Sequence, residues 1–291
     1  MRAEEPAGSS DGFALVMVLA FMLIVSAVIV PFAISARTRL MIAKNTIEQQ
    51  RLSLLADGLI TVLSGRLSRL PAELPTDGDL VYCQAGGSTF AARIQDHRGL
   101  IDLNASDAAQ LAVGFEALGI DASQAAALAD LTVASRSPPN AFGMSNPKPS
   151  RTSGLKSAPF ESVSELAFMT ASNGLPLDET YRLFTVHSKI GVVEPTLAPA
   201  PLPEKLGIAA ETQTKPANGD VYSLQVTIQT ASSGIVGSAG SIVTRANGGL
   251  FERVSQLPPL SISALRASEA LPCPTLFGEK PARLIAEWAN G

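Results

Sequence analysis

The sequence predicts an α+β fold, in which one long N-terminal helix packs on an antiparallel sheet and an all-α domain is inserted between the strands. Three observations predict it. An uncharged apolar run over Phe13 to Ile34 continues into an amphipathic helical pattern without proline from Arg37 to Leu70. Two groups of alternating segments are typical of strands. Between these groups, the apolar residues take helical spacing.

The run from Phe13 to Ile34 carries no charge, and a helix needs about 20 apolar residues to cross a bilayer. A secretory signal peptide has a shorter apolar core, of about 7–15 residues, followed by a small-residue cleavage site. A fully buried core helix is a third interpretation. The length favours a membrane-inserting helix over both, with a kink at Pro31 where one backbone donor is missing.

The helical pattern continues beyond the apolar run and ends at Pro71 and Pro75. Its apolar residues recur every three or four positions and form one stripe. These residues are Leu52, Leu55, Leu59, Leu63, Leu67 and Leu70. We therefore expect a single helix to leave the bilayer and to lay one face on a globular domain.

Strand signals lie on both sides of the helical region. The first group contains a hairpin signal at Gly86-Gly87, and the second has a turn at Asn247–Gly249. The predicted strands are Leu80–Cys83, Thr89–Ile94, Leu100–Leu103, Thr185–Val193, Val221–Ile228, Ser241–Arg245 and Leu250–Val254. Four prolines between Pro195 and Pro203 predict a stiff linker.

Capping residues mark the helices of the inserted domain. Asn104 or Ser106 can begin a helix that reaches Leu118, and Asp121 or Ser123 can begin a second that runs through Ala134. Further along, Ser162 and Glu165 form a capping box, Asp178 opens a short helix, and residues 135–159 have the composition of a long loop.

Charge argues against nucleic-acid binding. The chain has a net charge of −4, and residues 104–188 contain five basic and eight acidic residues, a net charge of −3. Phosphate contacts require the opposite sign. The short helices that end at Gly119 and Gly174 faintly resemble helix-hairpin-helix modules. A membrane-anchored binding module, for instance in DNA uptake, is therefore the alternative function, and salt-sensitive DNA binding by residues 104–188 would favour it.

The histidines and cysteines give no catalytic or zinc motif. Asp96, His97 and His187 could suggest a Ser-His-Asp hydrolase, but the sequence lacks the G-x-S-x-G elbow. Cys83 and Cys273 lie too far apart for a CxxC zinc site. In an oxidising compartment they could form one disulfide, whereas in the cytoplasm they would remain free thiols.

Several short motifs, in this order, resemble protein K of the general secretion pathway (GspK), a minor pseudopilin of bacterial type II secretion systems. Gly12 directly precedes the apolar helix that begins at Phe13, as at a type IV prepilin cleavage site. Three further motifs are similar to the family's D-E-x-G-x-x-x-L-N, PF-x-S-V-x-E-L and T-V-Y-S segments. They are Asp96–Asn104, Pro159–Leu166 and Thr185–Ser188.

The resemblance implies a pilin-like, non-catalytic assembly protein without a cofactor. A prepilin peptidase would cut between Gly12 and Phe13 and methylate Phe13. The mature chain would stand at the tip of the pseudopilus with the I and J minor pseudopilins above the major pseudopilin. It would be a single-pass protein of the inner membrane with its C-terminal domain in the periplasm. Charge alone predicts the opposite orientation, because Arg37, Arg39 and Lys44 follow the apolar run.

Two departures from common pilin features matter. Met17 occupies the fifth mature position, where most pilins have glutamate and where protein K characteristically lacks it; a subunit with none above it has no N-terminal amine to neutralise. Relatives can bind calcium in the inserted domain, but Val133–Arg136 replaces their acidic D-W-R-D run, so no metal site is predicted here.

These observations divide the chain into eight regions. They are a leader (1–12), a transmembrane helix (13–34), its amphipathic continuation (35–70), the first part of the sheet (77–103), the inserted helical domain (104–188), a Pro-rich linker (189–216), the second part of the sheet (217–257) and a C-terminal tail (258–291).

Overall fold

The computed structural model describes residues 11–136, 157–169, 177–207, 219–230, 234–260 and 270–290. Its helices are α1 Asp11–Arg69, α2 Ala108–Ala117, α3 Ala122–Arg136, α4 Leu166–Met169, α5 Leu177–Leu183, α6 Leu202–Lys205, α7 Cys273–Phe277 and α8 Glu279–Asn290. Its strands are β1 Asp77–Ala85, β2 Ser88–Asp96, β3 Ile101–Asp102, β4 Phe184–Thr185, β5 Val221–Thr230, β6 Val236–Arg245, β7 Phe251–Gln256 and β8 Ala270–Leu271. The chain divides between Gln50 and Arg51 into two units, and all strands lie in the second.

The main sheet has the strand order β7–β6–β5–β2–β1–β8, with five antiparallel strands and the short parallel strand β8 at one edge. The predicted hairpin joins β1 to β2 through Gly86 and Gly87, which both adopt positive φ angles that glycine tolerates without steric cost. Strands β2 and β5 are neighbours, and the chain between them forms the insertion. The predicted α+β fold class is confirmed.

The C-terminal part of α1 buries one face against the sheet. Its buried residues are Leu52, Ala56, Leu59, Ile60, Leu63 and Leu67. Alternate residues of β2 and β5 meet them, because successive side chains of a strand point to opposite faces; these are Phe90, Ala92, Ile94, Leu224, Val226 and Ile228. Leu70 ends the predicted stripe but is exposed, since α1 stops at Arg69. Gly237 of β6 allows a close approach to α1, because a Cβ at this position would lie 2.3 Å from Leu52 Cβ.

The edge strand β7 is fastened to α1 by Arg253. Its guanidinium donates to the Asp57 carboxylate, to the Asp57 carbonyl oxygen at 2.9 Å and to Thr61 Oγ1 at 2.9 Å. A bulge also interrupts the pairing of β7 with β6. Charged side chains and bulges on an edge strand discourage pairing with other chains.

The inserted domain has a separate core, built from α2 to α6, β3 and β4. At its centre, the rings of Phe115 and Phe184 lie 5.1 Å apart. Asp107 caps α2, one residue after the predicted Ser106, while Asp121 accepts the first amide bonds of α3. The other buried members are Ile101, Leu103, Leu111, Ala125, Ala129, Phe160, Val163, Leu166, Leu183, Val193, Ala198 and Leu202.

The structure differs from the sequence prediction in three connecting regions. Strand β3 pairs with β4 in a separate parallel ladder and does not extend the main sheet. Of the predicted strand Thr185–Val193, only Thr185 is in β4, because the backbone beyond it turns to bond Asp102. The predicted linker is packed over its described part, since Val193, Ala198 and Leu202 enter the second core.

The C-terminal segment is more ordered than the predicted irregular tail. Strand β8 pairs with β1, and α7 and α8 bury Leu276, Phe277, Ala282 and Ile285 in the first core. Arg66 of α1 donates to the carbonyl oxygen of Pro274 at 3.0 Å. Most of the predicted leader and most of the predicted loop 135–159 lie outside the described residues.

Candidate functional site

The N-terminal part of α1 is apolar and solvent-facing. Among the described residues, α1 is the one helix long and apolar enough to cross a membrane, and its most apolar window buries no side chain. At 1.5 Å per residue, Phe13 to Ile34 spans about 33 Å. A bilayer's hydrocarbon core is about 30 Å thick, so the helix is compatible with a single-pass anchor.

The predicted maturation site lies at the start of this helix. Gly12 is in the first turn of α1, and Phe13 and Met17 follow on the same face, one turn apart. Both side chains are exposed, by 69% and 58%. The structure therefore leaves Phe13 accessible, and cleavage and methylation there stay a prediction.

A disulfide joins Cys83 of β1 to Cys273 at the start of α7. The two cysteines are 190 residues apart in sequence, and both are buried in the first core. The bond fastens the C-terminal segment to the sheet, beside the edge contact between the Phe90 and Phe277 rings. The sequence left open whether the two cysteines form a disulfide or remain free thiols, and the structure brings them together in a disulfide.

The three short motifs of the second unit converge on one place, which we call the junction: Asp96–Asn104, Pro159–Leu166 and Thr185–Ser188. Asn104 binds the backbone of Phe160 twice, donating from Nδ2 to its carbonyl oxygen at 2.9 Å and accepting its amide at 2.8 Å. His97 lies 2.7 Å from Thr185 Oγ1. The motifs therefore meet through side-chain bonds that mount the inserted domain on the end of β2.

Asp102 is a buried carboxylate of the junction that accepts four hydrogen bonds. One oxygen accepts the amides of Asn104 and Ala105, at 2.8 and 3.1 Å. The other accepts Ser188 Oγ at 3.0 Å and the Lys189 amide at 2.8 Å. Asp102 is fully buried, so these four bonds replace its hydration. The D-x-N spacing at a strand end favours such a turn, and our sequence analysis missed it.

His97 bridges the sheet and the inserted domain. Its Nδ1 meets Thr185 Oγ1 at 2.7 Å, and its Nε2 meets Ser223 Oγ of β5 at 2.8 Å. A hydrolytic triad needs a carboxylate on one ring nitrogen and an accessible serine on the other. Here Asp96 instead pairs with Arg98 at 2.7 Å, and Ser223 is buried. The arrangement is that of a structural bridge.

Burial makes the junction unfavourable for a charged imidazole. Desolvation, with a smaller contribution from His187, lowers the pKa of His97 to about 3. The two rings lie 5.8 Å apart. Partial burial also lowers the pKa of His187, although Asp102 acts in the opposite direction. Both histidines are therefore held neutral at pH 7.

A cavity of about 140 Å³ lies beside His97, between the sheet and the inserted domain. It is lined by Ser223 and Ser255 from the sheet and by Ser162, Tyr181 and His187 from the insertion. Within the described ranges, no three His, Cys, Asp or Glu side chains come close enough to hold a metal ion. The lining combines hydroxyl and imidazole groups with the apolar side chains of Val163, Phe184, Ile242 and Val254.

Among the comparisons with known proteins, a match is found with solved structures. No family model matches the sequence, and no curated protein matches it. Among solved structures, the chain is similar to a chain in the crystal structure of the GspK-GspI-GspJ complex from the type 2 secretion system of enterotoxigenic Escherichia coli. The two are 15% identical, with a TM-score of 0.45, and the match covers 78% of this chain and 99% of that one.

Proposed function

We propose that this chain is a minor pseudopilin of a type II secretion system, of the protein K kind, and that it acts by assembly and not by catalysis. The observation that carries the proposal is the double use of α1. One helix supplies an apolar segment directly after Gly12 and, further along, the buried face on which an antiparallel sheet is built. A separate anchor would not need to enter the core of the domain that it carries.

The inserted domain supports the same proposal. It interrupts the sheet between β2 and β5, has its own core, and is held at the junction by the motifs that resemble the family. The inserted domain would enlarge the filament tip and would contact other subunits there. The proposed partners are the I and J minor pseudopilins and the major pseudopilin, with a prepilin peptidase acting on the leader.

The proposed location is the inner membrane, with the second unit in the periplasm. The disulfide between Cys83 and Cys273 supports this orientation, because such bonds persist in oxidising compartments and are rare in the cytoplasm. The basic residues Arg37, Arg39 and Lys44 favour the reverse orientation. We give the disulfide more weight, because such a bond requires an oxidising compartment, whereas three basic residues only bias the orientation.

The first test is the N-terminus of the mature protein. We expect mass spectrometry of the chain purified from membranes to show N-methylphenylalanine at residue 13. A glycine before the cut allows close approach of the peptidase to the backbone, so Gly12→Val should leave the leader attached. Gly8→Val is the matched control and should be processed normally. An intact Met1, or a cut near Ala36, would contradict the proposal.

The second test is assembly. Deleting Phe13–Ile34 and supplying a cleavable signal peptide should export a folded second unit that no longer copurifies with the other pseudopilins. Secretion should be lost, because the helix that packs into the filament is missing. The retained disulfide, measured by thiol labelling, checks that the exported unit is folded. Normal secretion by the deletion variant would refute a role for this helix in assembly.

A further inference from the structure

The inserted domain meets the sheet through polar and apolar contacts, and Ile242 of the sheet and Phe184 of the insertion both line the cavity beside His97. On the face opposite α1, the central strands carry buried polar residues, among them Gln95, Ser223 and Thr227. Two of the hydrogen bonds that cross to the insertion are those from Gln95 Nε2 to Leu197 O, at 2.8 Å, and from the Glu194 amide to Arg98 O, at 2.8 Å. Opening of this contact would expose Ile242, which belongs to neither core, and would leave both cores packed.

Protonation of His97 would place a positive charge inside this contact. His97 is 2% exposed and touches one hydroxyl on each side, Thr185 of the insertion and Ser223 of the sheet. A neutral imidazole donates from one nitrogen and accepts at the other, which two hydroxyl groups can satisfy. A protonated ring would donate from both, but no described carboxylate is bonded to it. Its charge would therefore be buried without an anion.

The cavity beside His97 gives water a place to enter. Its 140 Å³ exceeds by about tenfold the volume needed for one water molecule. Its polar lining comes from both sides of the contact. A small separation of the insertion from the sheet would thus hydrate the ring of His97. Hydration stabilises the protonated form of the ring.

We propose that the junction is a pH-sensitive latch: charging of His97 in acid releases the inserted domain from the sheet while both cores stay folded. In the orientation proposed above, the inserted domain would respond to the pH of the periplasm. The latch itself depends only on the contacts of the second unit.

The direction of the effect follows from the two protonation equilibria. In the released form His97 is hydrated and has an ordinary pKa near 6.5, whereas burial lowers it to about 3 in the closed form. Between these values the released form binds the extra proton. Release is therefore favoured by about tenfold for each unit of pH below 6.5, with no effect above 6.5 and no further gain below 3.

The neighbouring charges do not reverse this direction. Burial also lowers the pKa of His187, and a charge on its ring, 5.8 Å from that of His97, would repel a charge on His97. The carboxylate of Asp96 is engaged by Arg98, and that of Asp102 by four donors. The other titratable or charged groups that line the cavity or act on these rings are Glu161, Tyr181 and Lys189.

The test is hydrogen exchange of the full chain in nanodiscs at pH 7.5 and 5.0, corrected for the intrinsic rate. We expect residues 191–198, including the Glu194 amide, to lose protection by about 30-fold, which corresponds to 1.5 pH units below 6.5. The helices α2 and α3 and the strands β1 and β2 should keep their protection. In His97→Gln the pH response should vanish, whereas the matched variant His187→Gln should keep most of it.

Three results would overturn the latch. They are equal protection of residues 191–198 at both pH values, simultaneous loss of protection in all elements, and an unchanged pH response in His97→Gln. If that variant does not fold, the nuclear magnetic resonance titration of His97 in the unaltered chain decides. A ring that titrates near 6.5 while the contact stays closed would refute the proposal.

Discussion

Replacing Cys83 and Cys273 together by serine will lower the free energy of unfolding of the second unit by up to about 5 kcal/mol. The disulfide closes a loop of 190 residues, and a cross-link over so long a loop removes much of the entropy of the unfolded chain. Both sulfurs are also buried, so the serine hydroxyls would enter an apolar core. Urea denaturation of the oxidised chain and of the double variant, followed by circular dichroism, measures the difference.

The reduced chain is the matched control for this experiment. Dithiothreitol should bring the unaltered protein close to the double variant but leave the variant unchanged, because only the former has a bond to lose. A loss of stability below about 1 kcal/mol would mean that the disulfide adds little to the stability that the packing of β8, α7 and α8 already provides. The expected loss is large because stabilities of single domains are only about 5–15 kcal/mol.

Asp102→Asn will destabilise the inserted domain by about 3 kcal/mol. The amide keeps one oxygen, which can still accept the amides of Asn104 and Ala105. In place of the second oxygen it presents an NH₂ group to the amide of Lys189, so two donors face each other in a buried site. Thermal unfolding of the full chain in nanodiscs, read by circular dichroism, measures this effect.

Asp107→Asn is the matched control for Asp102→Asn. Asp107 caps α2 by accepting one bond, from the Gln110 amide at 2.8 Å, and asparagine is an equally good N-cap residue. Its effect should stay within about 0.5 kcal/mol. Equal effects of the two substitutions would show that the second carboxylate oxygen of Asp102 does not contribute to the stability of the inserted domain.

The elements predicted most accurately from the sequence are those with local signals. The end of α1 follows from Pro71, and the hairpin of β1 and β2 follows from Gly86-Gly87. The capping box of Ser162 and Glu165 is present as predicted. Each signal acts within a few residues through φ restriction or a side-chain bond to the backbone, so no distant partner is needed to interpret it.

The predictions that failed concern segments whose neighbours lie far away in the chain. Leu202 follows a proline, and the four prolines around it are typical of a stiff linker. The residue is nevertheless fully buried, because the inserted domain presents an apolar surface to it. The two residues of β3 were likewise predicted to continue the main sheet, but they pair with β4 in a separate ladder. Burial against a remote segment outweighed local composition in both cases.

The sequence by itself determined the order of the long helix, the two groups of strands and the helical insertion between them, together with the apolar segment and the motifs that suggest a pseudopilin. The tertiary structure alone decided that three of those motifs meet at the junction, that His97 bridges two cores, and that Cys83 reaches Cys273. The reason is physical. Periodicity and caps act over one or two helical turns, whereas bonds between segments 56 to 190 residues apart exist only after packing has closed the loops between them.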